Sequence, residues 1–127
     1  MTIFSLSSLT DIAKKLAKEL WKKNMHESWE NYDGSDMFVV NDKGDIVGGF
    51  AIYKDESDGV CGIFCSGWAA RHKKVPCAKI IEQIAMNVGD VYFKTDKRTA
   101  KILLEKIGKK VKITDRFVYY IVRKTKT

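Results

Sequence analysis

The sequence predicts an α+β domain built on a central mixed, mostly antiparallel sheet flanked by helices. Apolar runs of strand length recur at 37–41, 46–54, 60–66, 90–94, 111–113 and 117–122, each too short to be a helix. Stretches around 9–21, 78–88 and 100–107 instead repeat apolar residues at helical spacing. The two kinds of element are interleaved without strict alternation, which argues against a doubly wound parallel sheet. The expected order is β-α-(α)-β-β-β-α-β-α-β-β.

Ile3-Phe4-Ser5-Leu6 is a short apolar alternation and the expected first strand. Ser8 and Asp11 have the spacing of a capping box. Leu9, Ile12, Ala13, Leu16, Ala17, Leu20 and Trp21 then form one stripe, with Lys14, Lys15, Lys18, Lys22 and Lys23 opposite it. This is an amphipathic helix running to about Met25, with its stripe packed on a sheet. His26–Tyr32 has no clear period and is compatible with a second short helix. His26 there reads as a surface or capping histidine. Asp33-Gly34-Ser35-Asp36 is a turn.

Strands are expected at Met37–Asn41 and Ile46–Lys54. Asn41-Asp42-Lys43-Gly44-Asp45 joins them with hairpin chemistry, Gly44 supplying the positive φ. Gly48-Gly49 permits a bulge or a close approach by another backbone. Asp55–Gly59 reads as an acidic loop. Val60–Ser66 completes a meander, with Cys61, Ile63 and Cys65 on one face and Val60, Gly62, Phe64 and Ser66 on the other.

Gly67–Lys74 breaks the pattern and carries Arg71, His72, Lys73 and Lys74. Pro76 suits the first turn of a helix. Ala78, Ile81, Ile84, Ala85 and Val88 are its buried face, and Gly89 ends it. A strand at Asp90–Lys94 precedes a helix at Asp96–Ile107, in which Ala100, Leu103, Leu104 and Ile107 share one face. Gly108 is expected as a left-handed C-cap. Val111–Ile113 and Phe117–Val122 close the chain as a hairpin across Thr114-Asp115-Arg116.

A chain of 127 residues suits a single domain spanning 1–127, and 45% hydrophobic with 31% charged residues is a globular balance. No apolar run approaches the roughly 20 residues that span a bilayer. The first residues lack a secretion signal's charged and apolar regions. The expected setting is the cytoplasm, with no membrane partner. Cys61, Cys65 and Cys77 read as reduced thiols. With His72 they could instead make four ligands, but no C-x2-C knuckle is present, so no metal is expected. Residues 1–68 hold seven Lys/Arg and eleven Asp/Glu (7 − 11 = −4), and residues 69–127 hold sixteen and five (16 − 5 = +11). The basic half favours a phosphorylated ligand or a polyanion. A nucleic-acid partner rests on the cluster Lys94, Lys97, Arg98, Lys101, Lys106, Lys109, Lys110 and Lys112 alone. No helix-turn-helix, zinc-finger or RNP-like motif accompanies it.

Residues 97–109 run Lys97-x-x-Ala100-x-x-Leu103-Leu104-Glu105-Lys106-x-Gly108-Lys109. This resembles the ending of GCN5-related N-acetyltransferases, roughly N-x-x-A-x-x-L-Y-E-K-x-G-F, and the element order of the whole chain resembles theirs. The resemblance implies an acyl-CoA N-acyltransferase-like fold, with acetyl-CoA or another acyl-CoA between the third meander strand and the strand at 90–94. Its pyrophosphate would rest at the loop written [QR]-x-x-G-x-[GA], here Arg71-His72-Lys73-Lys74-Val75-Pro76. The implied cofactor-binding residues are Phe64, Cys65, Ser66, Arg71, Lys73, Lys74 and Cys77.

Five positions depart from the family pattern, two of them Lys97 and Lys109, which replace the late motif's asparagine and aromatic. Lys74 and Pro76 replace the loop glycines, and Leu104 replaces the tyrosine that protonates the leaving thiolate. Asp55, Glu56 and Tyr53 are the implied catalytic candidates, and Tyr92, Tyr119 and Tyr120 are alternative phenols. A basic loop without glycines, an aromatic meander strand at Phe64 and the late Ile107-Gly108 are also similar to acetyltransferase-like internal virion proteins of bacteriophages. Two functions follow from these resemblances. One is a divergent acyl-CoA-dependent N-acyltransferase. The other is an inactive bacteriophage derivative acting as a virion or host-interaction module through its basic half, with a protein partner.

Overall fold

A computed structural model describes residues 1–27, 29–32, 35–70 and 74–124. Seven strands form one sheet: β1 (Thr2–Ser5), β2 (Asp36–Asp42), β3 (Asp45–Ser57), β4 (Val60–Ala69), β5 (Val91–Thr95), β6 (Lys109–Ile113) and β7 (Val118–Val122), in the order β1-β2-β3-β4-β5-β7-β6. β4 and β5 run parallel, meeting at Phe64 and Tyr92. The pairings β1–β2, β2–β3, β5–β7 and β6–β7 are antiparallel. The helices are α1 (Asp11–Met25), α2 (Cys77–Val88) and α3 (Arg98–Ile107), with 3-10 turns at Leu6–Ser8 and Trp29–Tyr32. This is the expected α+β architecture, with Trp29–Tyr32 of the ambiguous segment in a 3-10 turn. The chain forms two compact units, one of Met1–Tyr53 with Ser66–Val75 and one of Lys54–Cys65 with Pro76–Thr127. No described helix is long and apolar enough to cross a membrane.

In the first unit α1 starts later than the sequence suggests. The chain spends Leu6–Ser8 in a 3-10 turn, where the Ser8 hydroxyl donates to the Ser5 carbonyl at 2.7 Å instead of capping the helix. Thr10 takes the cap, its Oγ1 accepting from the Ala13 N–H at 3.2 Å, and Asp11 favours the helix dipole. His26 ends the helix in the left-handed region at φ 57°.

The helix is also rotated relative to its apolar stripe. Ala17 and Trp21 are buried, whereas Ile12 is 85% and Leu16 48% exposed. Lys14 and Lys18 take the half-buried flank in their place. Leaving a large aliphatic side chain in water forgoes about 1.5–3 kcal/mol, so the orientation must be imposed by the sheet beneath. Trp68 packs on that sheet. Its indole lies on β3, where a Cβ at Gly49 would sit 2.9 Å from Nε1 and one at Gly48 3.0 Å from the Trp68 carbonyl. Glycine at both positions is therefore a requirement of close approach, by backbone at Gly48 as expected and by a side chain at Gly49. Phe38 and Phe50 stack across β2 and β3 at 5.1 Å.

The strands of the β3–β4 hairpin are longer than expected. The segment read as an acidic loop is strand as far as Ser57, and the reversal is the pair Asp58-Gly59, at φ 51° and 80°. Lys43-Gly44 turns β2 into β3 with a similar pair, φ 51° and 89°. Positive φ at both central residues is the hairpin turn that matches strand twist.

In the second unit the hairpin tip is bonded to β7. The Tyr119 hydroxyl donates to the Asp58 carboxylate and lies 2.7 Å from Ser57 Oγ, to which Lys94 Nζ donates at 3.3 Å. Lys112 Nζ donates to the Asp58 carbonyl. Phe64, Val91, Tyr119, Tyr120 and Val122 make the core, with Ile84 and Ala85 of α2 and Leu104 of α3. Gly108 is not a left-handed cap: at φ −136° and ψ −171° it is extended. Glycine is needed there because a Cβ would lie 2.7 Å from the Ile121 carbonyl. The edge strand β6 is exposed throughout, and its lysines discourage pairing with another chain.

Candidate functional site

The alternation of β3 and β4 carries Tyr53 and Ser66 to one place in the first unit. Their hydroxyls are 2.7 Å apart. Tyr32, at the end of its 3-10 turn, packs against the group: its ring centroid is 5.4 Å from that of Tyr53, tilted, and 5.2 Å from Trp21, edge-on. Its hydroxyl donates to Glu27 Oε1. Burial first, then the Glu27 hydrogen bond, pushes the Tyr32 phenol well above its ordinary pKa, while a hydrogen bond with Ser66 opposes the shift. Two phenols thus converge on one serine hydroxyl, and one of them is backed by a carboxylate. The group holds a proton donor and a proton acceptor within hydrogen-bond reach of each other, as acid–base chemistry requires.

The cluster joins one expected catalytic candidate, Tyr53, with one expected cofactor residue, Ser66. Glu27 and Tyr32 were not anticipated, because their segment has no periodicity to mark it. Asp55 and Glu56 lie exposed on the hairpin tip in the second unit, where Asp55 Oδ1 accepts from the Glu56 N–H at 2.8 Å. Phe64 and Cys65 are buried on β4. Lys74 is exposed. Arg71, His72 and Lys73, together with the expected turn residues Asp33 and Gly34, lie outside the described residues.

The start of α2 has the donors a phosphate group needs. Its first intrahelical bond is Ile80 N–H to the Pro76 carbonyl at 3.1 Å, so the N–H groups of Cys77, Ala78 and Lys79 precede the ladder. No side chain caps them and the first turn holds no acidic residue, in contrast to α1. Pro76 occupies the cap position, where its missing N–H costs the helix nothing.

Part of the basic cluster is hydrogen-bonded or ion-paired within the fold. Lys94 and Lys112 bond to the hairpin tip, and Lys110 pairs with Glu105 at 3.3 Å. Among the described residues no group of three or more His, Cys, Asp or Glu side chains is placed to hold a metal ion. Burial pushes the Cys65 thiol up to about 12 from 9.0. A thiol whose pKa is raised on folding stabilises the native state below its unfolded pKa. That contribution is lost as pH rises from about 9 toward about 12. Stability measured by chemical denaturation is therefore expected to fall over that window, and less steeply in Cys65→Val. Alkylation of the native protein at pH 8 is expected to label exposed Cys61 and spare Cys65.

No protein-family model matches the chain, and no curated protein matches it by sequence. Solved structures do match. The Campylobacter jejuni N-acetyltransferase PseH, in complex with acetyl coenzyme A, is 11% identical, covers 98% of this chain and 99% of its own, and has a TM-score of 0.68. Escherichia coli ElaA is 11% identical over 96% of this chain and 97% of its own, at a TM-score of 0.62. A GNAT-family acetyltransferase from Listeria monocytogenes is 12% identical over 96% and 94%, at 0.59. The chain has the fold of the GCN5-related N-acetyltransferases, as its late helix and element order led us to expect. The bacteriophage resemblance finds no support among these matches.

Proposed function

We propose that the protein is a divergent acyl-CoA-dependent N-acyltransferase whose proton transfers run through Glu27, Tyr32, Tyr53 and Ser66. The observation that carries this reading is the hydrogen bond of Tyr53 with the β4 hydroxyl of Ser66 beside the Tyr32–Glu27 pair, in a fold whose solved examples are acetyltransferases. The uncapped, acid-free start of α2 fits the phosphate end of a CoA-type ligand. Phe64, Cys65 and Ser66 are the β4 residues along which the ligand would lie. Arg71, Lys73, Lys74 and Cys77 are those that would meet its phosphates, side-chain charge replacing the family's glycine-lined cradle.

Acyl-CoA supplies an acyl group activated as a thioester. In transfer to an amine a C–N bond forms, the C–S bond breaks, the nitrogen loses a proton and the sulphur gains one. Glu27 accepts the amine proton, held in place by the Tyr32 hydroxyl. Tyr53, hydrogen-bonded to Ser66, protonates the departing sulphur in the role the family's late-helix tyrosine plays elsewhere. Leu104 is buried and unable to do so.

Calorimetry with acetyl-CoA and with CoA tests the reading. Binding of both is expected, weakened at least tenfold in Lys73→Glu/Lys74→Glu. Absence of heat at millimolar ligand overturns it.

A further inference from the structure

β6 (Lys109–Ile113) is the outer strand of the sheet, and every one of its residues is exposed. Its backbone has a free side. The Thr114 N–H donates to the Phe117 carbonyl at 2.8 Å, which makes 114 and 117 a hydrogen-bonded pair of the hairpin. Successive residues of an antiparallel strand turn their backbone groups to opposite edges. The adjoining pair, Ile113 with Val118, therefore points the Ile113 N–H and carbonyl away from β7. The register slips at Val111, so regular pairing is available on either side of it, at 109–110 and 112–113. Val111 is 43% and Ile113 66% exposed, so aliphatic surface accompanies the open backbone.

The charge around this edge is one-sided. Residues 97–116 hold eight Lys/Arg and two Asp/Glu (8 − 2 = +6). Lys109 on β6, and Lys97, Arg98 and Lys106 in and beside α3, are exposed and have no charged partner among the described residues. Lys110 does have one, Glu105 of α3, but both side chains of that pair stand in solvent. An exposed pair contributes little, so an incoming carboxylate can take the place of Glu105.

A second copy of the chain does not fit this edge. β6 against β6 opposes lysine with lysine, and the other edge of the sheet, β1, carries no charge. Nucleic acid fits less well than a protein segment. Among the described residues of the second unit no aromatic side chain is exposed for base stacking. Phe117 already carries Lys94 and Arg116, at 5.2 and 5.1 Å from its ring centroid. Phosphate contact would use the lysines but leave the aliphatic side chains and the open backbone without a role.

We infer that β6 is a docking edge for an extended acidic segment of a partner protein, which adds beside it as a further strand. Main-chain hydrogen bonds at Ile113 align the guest, and Val111 and Ile113 meet its aliphatic side chains. Lys109, Lys110 and the cations of α3 take its carboxylates. The same lysines keep like chains off the edge, so one set of charges both excludes and selects. The inference is independent of the acyltransferase reading and involves no CoA.

The test is an amide-resolved NMR titration of the full chain with a blocked Glu-Val-Glu-Thr-Glu-Val-Glu peptide. A peptide with lysine in place of each glutamate and a short DNA duplex are the comparison probes. The acidic peptide is expected to shift the amides of 109–113 and to slow hydrogen exchange at Ile113, and the lysine peptide to do neither. Ile113→Pro removes an N–H that takes no part in the β6–β7 ladder and is expected to abolish binding with the β7 resonances in place. Ile113→Val, with the N–H restored, is expected to bind as the wild type does. Lys109→Glu is expected to weaken binding about fivefold or more, and carries the test should the β7 resonances move in Ile113→Pro. No response at millimolar acidic peptide, an equal response to the lysine peptide, tighter binding of the DNA duplex, or binding undiminished in Ile113→Pro or in Lys109→Glu overturns the assignment.

Discussion

Glu27→Gln is expected to lower the rate of acyl transfer by about 10²–10⁴-fold, the usual contribution of a positioned proton acceptor. Glutamine keeps the shape and can still accept the Tyr32 hydrogen bond, but it cannot take a proton from the amine. The loss should therefore fall on kcat, with CoA affinity within a factor of about two. Steady-state kinetics provide the check. A variant with near-normal kcat would exclude Glu27 as the base. Tyr53→Phe removes the phenol bonded to Ser66 and should slow transfer without abolishing CoA binding.

Phe64→Ala is expected to destabilise the protein by about 3–5 kcal/mol, the range for an aromatic side chain removed from a core. The ring is fully buried and stands where β4 meets β5. It lies 5.5 Å from the Tyr92 ring and 6.4 Å, edge-on, from Tyr119. Little can collapse into the space, because a neighbouring β4 position, Gly62, is already overlain by the Tyr92 ring at 2.7 Å from where a Cβ would be. A domain of this kind has about 5–15 kcal/mol of stability in all, so the urea midpoint should fall sharply. Phe64→Leu, which keeps most of the volume, should cost less than half as much. A loss below about 1 kcal/mol for Phe64→Ala would contradict the core role of this residue.

Much of the second unit was legible beforehand. The apolar positions Ala100, Leu103, Leu104 and Ile107 do form one helix between two strands, and the last two strands do form a hairpin. The β3–β4 turn was misread although its signal was present. Asp58-Gly59 is a two-residue turn pair, but the acidic residues before it suggested a loop. They are strand residues with exposed side chains, which a count of polar residues cannot distinguish from a loop. The role of Gly108 was misassigned for a related reason. Its position after a helix suggested a left-handed conformation, whereas its neighbour across the fold, the Ile121 carbonyl, is what forbids a side chain.

The candidate site was less legible. Tyr53 and Ser66 could be named as possibilities, but nothing in their local sequence says that their hydroxyls meet. Glu27 and Tyr32 lie in a stretch without period, and their relation to Ser66 exists only across the fold. Lys14 and Lys18 lie opposite the apolar stripe yet are half-buried, because helical periodicity identifies a stripe but not the side of it that a sheet will accept.

By itself the sequence determined the kinds of element, most of their order and the reversal at Gly44, because each depends on residues a few positions apart. Only the tertiary structure decided how far α1 turns about its axis and which hydroxyls hydrogen-bond to each other. Those depend on side chains tens of residues apart arriving at the same few ångströms, and no local preference encodes that meeting.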